Sequence, residues 1–345
     1  MKMEFENLVR ENIRELEAYS CARGEFEGAG AVLLDANENP FASGYNRYPD
    51  PYQRELKQQV ARLKGVDVSR LVLGNGSDEL IDMLIRTVCV PGRDNIIVFS
   101  PGYSMYEVSA RVNGMEVRNL MLDDSFMPEW ERIFERVDER TKIIFFCTPN
   151  NPVGNVIPLD EIRRVALRFD GLVVVDEAYI DFADVPSATS LRGECPNVVV
   201  LQTLSKAWGL AGLRVGICMA EPGLVKYLNK VKPPYNIGSV TQRMALEALK
   251  NVDLFRERVE EIKRERERVF VALRGMACFE RVYDSEANFL LACTPRYREV
   301  YDYLLAHGLV VRVRHIPPRL EGGLRVTIGT REENDLLIRV LKDFR

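Results

Sequence analysis

Residues 203–217, TLSKAWGLAGLRVGI, set one lysine and one arginine in an otherwise uncharged run of small and apolar residues. The stretch just before it, VVVLQ, reads as a buried strand of a parallel sheet, and a glycine-rich turn follows the lysine. A lysine so placed is expected to lose part of its hydration, which lowers the amine pKa and makes it a nucleophile toward a carbonyl. The position also suits a structural lysine paired with an acid. Lys206 on its own does not separate the two readings.

Other residues able to do chemistry fall in similar places. GLVVVDEAYIDF closes an apolar strand on Asp176, with Tyr179 three residues later. A buried carboxylate requires a partner, and a protonated heteroaromatic nitrogen is a suitable one. GNGSDEL, residues 74–80, joins a strand to a helix whose first N–H groups either hold an anion or are capped by Ser77 or Asp78. PGYSMY places Tyr103 just past a strand end, as a stacking ring or as core. TPNNPVGN holds Asn150 and Asn151 in a proline-fixed turn, where an amide donates to a ligand oxygen or only shapes the turn.

The elements that must position these groups alternate along the chain. RLVLG, NIIVFS, TKIIFFCT, GLVVVDEAY, NVVVLQT and RVGICMA read as strands, separated by helical patterns such as DELIDMLIRTVCV, YEVSARVNG and LDEIRRVALRFD. That alternation predicts an α/β fold with a mainly parallel sheet covered by helices, whose functional groups gather where strands end. Near residue 240 the texture changes to a long charged helical stretch, predicted as one or two helices. ANFLLACT, a helix around YREVYDYLLAHG, the strands LVVRVR and GLRVTIG and a final helix then form a smaller α+β unit. The expected division is an N-terminal arm at 1–30, a large domain at 31–245 and a small domain at 246–345.

Composition excludes several classes. A net charge of −4 without any basic block argues against an electrostatic nucleic-acid binder. The N-terminal pattern has no apolar signal core, and no later segment approaches eighteen uninterrupted apolar residues, which predicts a cytoplasmic protein. Seven cysteines lie singly, without CxxC spacing, which favours reduced and mostly buried thiols. Only two histidines, His307 and His315, are present, so neither a histidine metal centre nor a catalytic triad is expected.

A nucleophilic lysine, a buried acid, an anion-binding helix start, a stacking tyrosine and an amide donor together match the needs of pyridoxal 5′-phosphate. The motifs LDANENPF, NRYPDP, GNGSDE, PGYSMY, NNPVG, VVDEAYIDF, TLSKAWGLAGLRVG and LRVTIGT carry a resemblance over essentially the whole chain. By them the sequence resembles the fold-type I pyridoxal-phosphate enzymes and, among these, the histidinol-phosphate aminotransferase family.

The resemblance implies that Lys206 is the Schiff-base lysine and that Asp176 pairs with the pyridine nitrogen. It further implies that Asn151 and Tyr179 contact the ring's 3-oxygen and that Tyr103 stacks on the ring. Ser77, Asp78, Ser205 and Arg214 would hold the phosphate, with Tyr48 reaching in from the partner of a homodimer with shared sites. Tyr19, Asn37, Arg312 and Arg325 would contact substrate, Arg314 being close enough in sequence to compete with Arg312. Without the resemblance, Arg312 and Arg325 read equally well as exposed strand arginines. The usual SKAF of the family reads SKAW here, which sets Trp208 beside the lysine.

The implied reaction is transamination between histidinol phosphate and 2-oxoglutarate. Threonine-phosphate decarboxylation and broad or aromatic transamination share most of these motifs. A non-catalytic, dimeric ligand-binding domain on the same fold is the alternative from another class, and the presence of Lys206 and Asp176 speaks against it.

Overall fold

The computed structural model describes residues 4–18 and 32–344. Seven strands form one sheet: β1 (Leu71–Asn75), β2 (Asn95–Ser100), β3 (Glu116–Met121), β4 (Thr141–Cys147), β5 (Leu172–Asp176), β6 (Val198–Thr203) and β7 (Val215–Met219). Their order is β1-β7-β6-β5-β4-β2-β3. β7 runs antiparallel to both of its neighbours, while β3, β2, β4, β5 and β6 are mutually parallel.

The apolar runs form central strands because both faces of this sheet are covered. Along β5, Leu172 and Val174 pack into the core on one face, and Val173 and Val175 into the core on the other. The helix Ser77–Val88 turns Leu80, Ile81, Leu84, Ile85 and Val88 inward, at the spacing of one helical face. Phe5 and Val9, from the first described residues, are buried in the same core.

A second sheet contains β8 (Arg281–Tyr283), β9 (Phe289–Cys293), β10 (Arg312–Ile316) and β11 (Leu320–Thr327), in the order β10-β11-β9-β8 and antiparallel throughout. The helices Val252–Arg274, Tyr297–Ala306 and Arg331–Asp343 cover one face through Val269, Leu273, Val300, Leu304, Leu337 and Leu341. A capping box joins Thr330 and Glu333 at the start of the last helix. The opposite face carries Leu291, Cys293 and Leu320, which pack against Leu122, Phe126 and Val153 of the first unit. That contact brings β10 and β11 toward the strand ends of the large sheet.

Several details depart from the sequence expectation. The charged stretch resolves into two helices, Ser239–Ala248 and Val252–Arg274, and the first packs Ala245 into the large-sheet core. The strand expected at LVVRVR starts at Arg312, because Gly308 takes a positive φ and Leu309 N bonds back to Leu304 O, closing the preceding helix. β3, β8 and the helices Trp130–Arg136 and Pro222–Val231 were not legible. β3 is a half-exposed edge strand without clean alternation, and β8 has only three residues. Among the described residues six cysteines are free, five of them buried, and no helix is long and apolar enough to cross a membrane.

Candidate active site

The parallel strands end along one edge of the large sheet. Cys147 closes β4 directly opposite Asp176, which closes β5 and pairs in turn with Leu201 of β6. β6 then turns back through residues 204–214 into β7, with Thr203 facing Gly216 across the ladder. This reversal brings Lys206 and Arg214 to the same edge. On the far side of β7, Gly76 N donates to Arg214 O at 2.8 Å, so the helix Ser77–Val88 begins beside that arginine.

Two glycines make that approach possible. A Cβ on Gly216 would run into the backbone of Gly76 and Ser77, and one on Gly76 would run into Arg214 Nη2. Gly76 also has φ +78, which favours glycine. No side chain caps this helix. The capping alternative for Ser77 and Asp78 is thereby removed; both line the cavity, so the helix start and the positive end of its dipole lie at the cavity edge.

Ser77, Asp78, Tyr103, Asn151, Asp176, Tyr179, Ser205, Lys206 and Arg214 line a single cavity, together with Cys147, Ala178 and Thr203. Asp176 lies at its floor, 2% exposed. Burial raises its carboxyl pKa to about 6, against the hydrogen bonds from Tyr106 and Ala178 N that pull it down. Lys206 is more open to solvent than its apolar surroundings suggest, being exposed at the cavity mouth. Even so, desolvation and then the Arg325 charge lower its amine pKa, with Asp176 acting in the opposite sense. Its Nζ stands 5.6 Å from the centre of the Tyr179 ring.

Two small networks flank this pair. Tyr103 Oη donates to Asp78 Oδ1 at 2.9 Å, and Arg214 Nη2 lies 3.7 Å from Asp78 Oδ2, so Asp78 holds both groups at the anion end. On the other side Asn151 Nδ2 donates to Tyr179 Oη at 3.4 Å, and Arg325 Nη1 donates to Asn151 Oδ1 at 2.6 Å. Arg325 therefore reaches from β11 of the small sheet to the edge of the large one. Trp208, two residues past the lysine, stacks on Phe255 at 4.0 Å between ring centres.

Not every expected residue joins the cavity. Tyr48 lies outside it, half-exposed and stacked on Tyr235 at 4.5 Å. Asn37 is exposed with φ 55 and does not line it. Arg312 is exposed in an outer cleft that it shares with Arg325. Tyr19 lies outside the described residues. Sequence reasoning missed Tyr106, whose Oη donates to Asp176 Oδ2 at 2.7 Å. It stands three residues after Tyr103 in PGYSMY, and asking what donates to a buried Asp176 would have pointed to it.

The cavity thus combines an amine nucleophile, a buried acid able to face a protonated ring nitrogen, and an uncapped helix start beside an arginine. That donor set fits pyridoxal 5′-phosphate. Fold and site define a pyridoxal-phosphate-dependent transferase. The chain belongs to the aminotransferase class I and II family, whose model matches residues 29–341.

Among curated relatives, the histidinol-phosphate aminotransferase of Parabacteroides distasonis is 47% identical over 342 residues, covering 99% of each chain. That of Flavobacterium johnsoniae is 46% identical over 338 residues, covering 97% of each. Among solved structures, histidinol-phosphate aminotransferase from Sinorhizobium meliloti in complex with pyridoxal-5′-phosphate has a TM-score of 0.78 at 26% identity, over 86% of this chain and 82% of that one.

Proposed function

We propose that the chain transfers the amino group of L-histidinol phosphate to 2-oxoglutarate, forming imidazole-acetol phosphate and glutamate in histidine biosynthesis, with pyridoxal 5′-phosphate as cofactor. The observation that carries this reading is the single cavity shared by buried Asp176 and Lys206, bordered by Arg325, in a chain that matches such enzymes from end to end. The cofactor, when bound, supplies an aldehyde for the substrate nitrogen and a ring that accepts electrons released at the adjacent carbon.

Each residue then has a separate task. Lys206 Nζ anchors the cofactor and, once released, moves the proton at the amine-bearing carbon; its lowered pKa supports a share of neutral amine for that work. Asp176, ionised against a protonated ring nitrogen, keeps that nitrogen charged. Asn151 and Tyr179 bind the ring oxygen, and Tyr103 covers the ring. The N–H groups at Ser77 and Asp78, with Ser205 and Arg214, hold the phosphate. Arg325 and Arg312 bind the anionic ends of the two substrates, and Tyr19 and Asn37 complete the substrate side.

The working unit in this reading is a homodimer, with Tyr48 serving the partner's cavity. Tyr48 lies outside its own cavity on a segment that exposes Val32, Leu34, Phe41 and Tyr45, as a surface awaiting cover does. We propose a division near residue 245 and a cytoplasmic location, the latter supported by the free thiols.

The test is a three-way assay of cofactor-loaded protein with histidinol phosphate, phosphothreonine and phenylalanine, following amine transfer to 2-oxoglutarate and carbon dioxide release. Transfer fastest from histidinol phosphate is the expected result. Carbon dioxide from phosphothreonine, or faster transfer from phenylalanine, would overturn the assignment.

A further inference from the structure

Among the described residues Arg314 has no counter-ion, and it sits where the fold gives it no structural task. The ladder pairs Arg312 with Arg325 and Arg314 with Gly323. Directly opposed positions and positions two apart share one face of a sheet, so all three guanidinium groups leave the same face of β10 and β11. It is the face that packs on the large unit through Leu291, Cys293 and Leu320, and from it Arg325 reaches Asn151 in the cavity wall. No side chain on β11 stands opposite Arg314, because its partner there is glycine.

Arg325 and Arg312 are accounted for differently. Arg325 bonds to Asn151 Oδ1, and Arg312 is open to water. Arg314 is half-buried, its Nε is buried without a hydrogen-bond partner, and it enters no ion pair among the described residues. Burial, then Arg325 and Arg312, lower its pKa, while Tyr179 and Tyr103 act the other way, which sets it within electrostatic reach of both cavity tyrosines. Gathering three guanidinium groups with no acid among them is costly unless an anion completes the set. One carboxylate offers a single charge, whereas a phosphate monoester offers two and three acceptor oxygens for forked donors.

We propose that Arg314 is a specificity-determining residue: a third guanidinium that, with Arg325 and Arg312, reads the dianionic phosphate of the substrate and separates it from uncharged and singly charged analogues. This rests on the phosphorylated amino-alcohol reading of the site. Arg325 is already engaged at Asn151, whereas the buried Arg314 Nε has no partner among the described residues.

The test compares wild type, Arg314→Gln and Arg314→Lys, each loaded with cofactor. It measures kcat/KM for histidinol phosphate and for unphosphorylated histidinol, together with competitive inhibition by inorganic phosphate. Arg314→Gln is expected to reduce the preference for the phosphorylated compound roughly ten-fold or more, chiefly through KM, and to weaken phosphate inhibition similarly. Arg314→Lys restores only part, since a point charge lacks the guanidinium fork. In wild type KM falls as pH rises through about 6, where the phosphate loses its second proton, and this dependence flattens in Arg314→Gln.

Unchanged preference and unchanged phosphate inhibition in a folded Arg314→Gln protein would overturn the proposal. If that variant does not fold, an Arg314→Lys preference equal to wild type overturns it instead. A wild-type protein that leaves histidinol phosphate untouched would refute the functional reading itself, and that outcome is read without any variant.

Discussion

Tyr106 Oη donates to Asp176 Oδ2 across 2.7 Å, with both residues buried. Ala178 N donates to the other carboxylate oxygen at 3.0 Å, so the orientation of Asp176 is fixed from two sides. Tyr106 is itself held by stacking on Phe145 at 4.7 Å, a contact that survives removal of the hydroxyl. In Tyr106→Phe the fold is therefore expected to persist while Asp176 loses a donor and becomes harder to ionise. A hydrogen bond to a charged group contributes about 1.5–3 kcal/mol, so kcat/KM should fall roughly ten- to a hundred-fold. Steady-state kinetics beside a thermal melt check this; a wild-type rate in the variant would show that Asp176 does not depend on Tyr106.

The pKa of Asp176 makes a prediction about the cofactor-free protein. Its folded value of about 6 lies above the ordinary 3.8, so between those pH values the folded chain holds a proton that the unfolded chain has lost. Stability from this group is thus full at low pH and falls as pH rises toward 6, by about 3 kcal/mol at most. Asp176→Asn removes the ionisation. Denaturant titrations of the cofactor-free proteins should show the variant more stable than wild type above pH 6 and free of that fall, although transamination is lost. Equal pH profiles would mean that Asp176 ionises in the folded chain as it does in water.

Much of this site was legible because each residue stands at a fixed offset from an apolar run. Asp176 and Thr203 end strands whose buried residues are consecutive, a pattern that marks a sheet covered on both faces. What could not be read was the pairing across the sheet. Nothing in GICM announces that β7 runs antiparallel between β1 and β6, yet that reversal sets Arg214 beside Ser77. Tyr106 was hidden for a related reason: its partner is 70 residues away, and only the fold joins them. Arg312 and Arg314 share a strand and a face, so spacing cannot rank them, whereas burial and the Arg314 Nε without a partner distinguish them.

The close approach of β7 to the helix start gives a prediction about the anion end. Gly216 lies against the backbone of Gly76 and Ser77, and an added methyl has no flexible side chain to displace. Gly216→Ala must then move the backbone, at a cost of about 1–3 kcal/mol as for other overpacked sites. The same movement shifts the N–H groups proposed to hold the cofactor phosphate. The expected outcome is a lower melting temperature together with weaker cofactor binding, measured by equilibrium dialysis. Alanine at Gly193, where an added Cβ meets nothing, is the control and should change neither.

Tyr48 tests whether the cavity is completed by a second subunit. It is half-exposed, stacks on Tyr235, and does not line the cavity of its own chain. If it serves the neighbouring cavity, Lys206→Ala and a severe Tyr48 variant damage different chains of the same site. A mixed dimer then contains one site with both defects and one site with neither, because the twofold axis pairs each Lys206 with the opposite Tyr48. Random re-pairing of equal amounts makes about half of the dimers mixed, so about a quarter of the wild-type sites should return. The measurement is transamination by the two inactive proteins before and after mild denaturant exchange, with mixed dimers verified by differential tagging. Recovery on mixing supports a shared site. No recovery despite verified exchange would place Tyr48 outside the partner's cavity as well as its own.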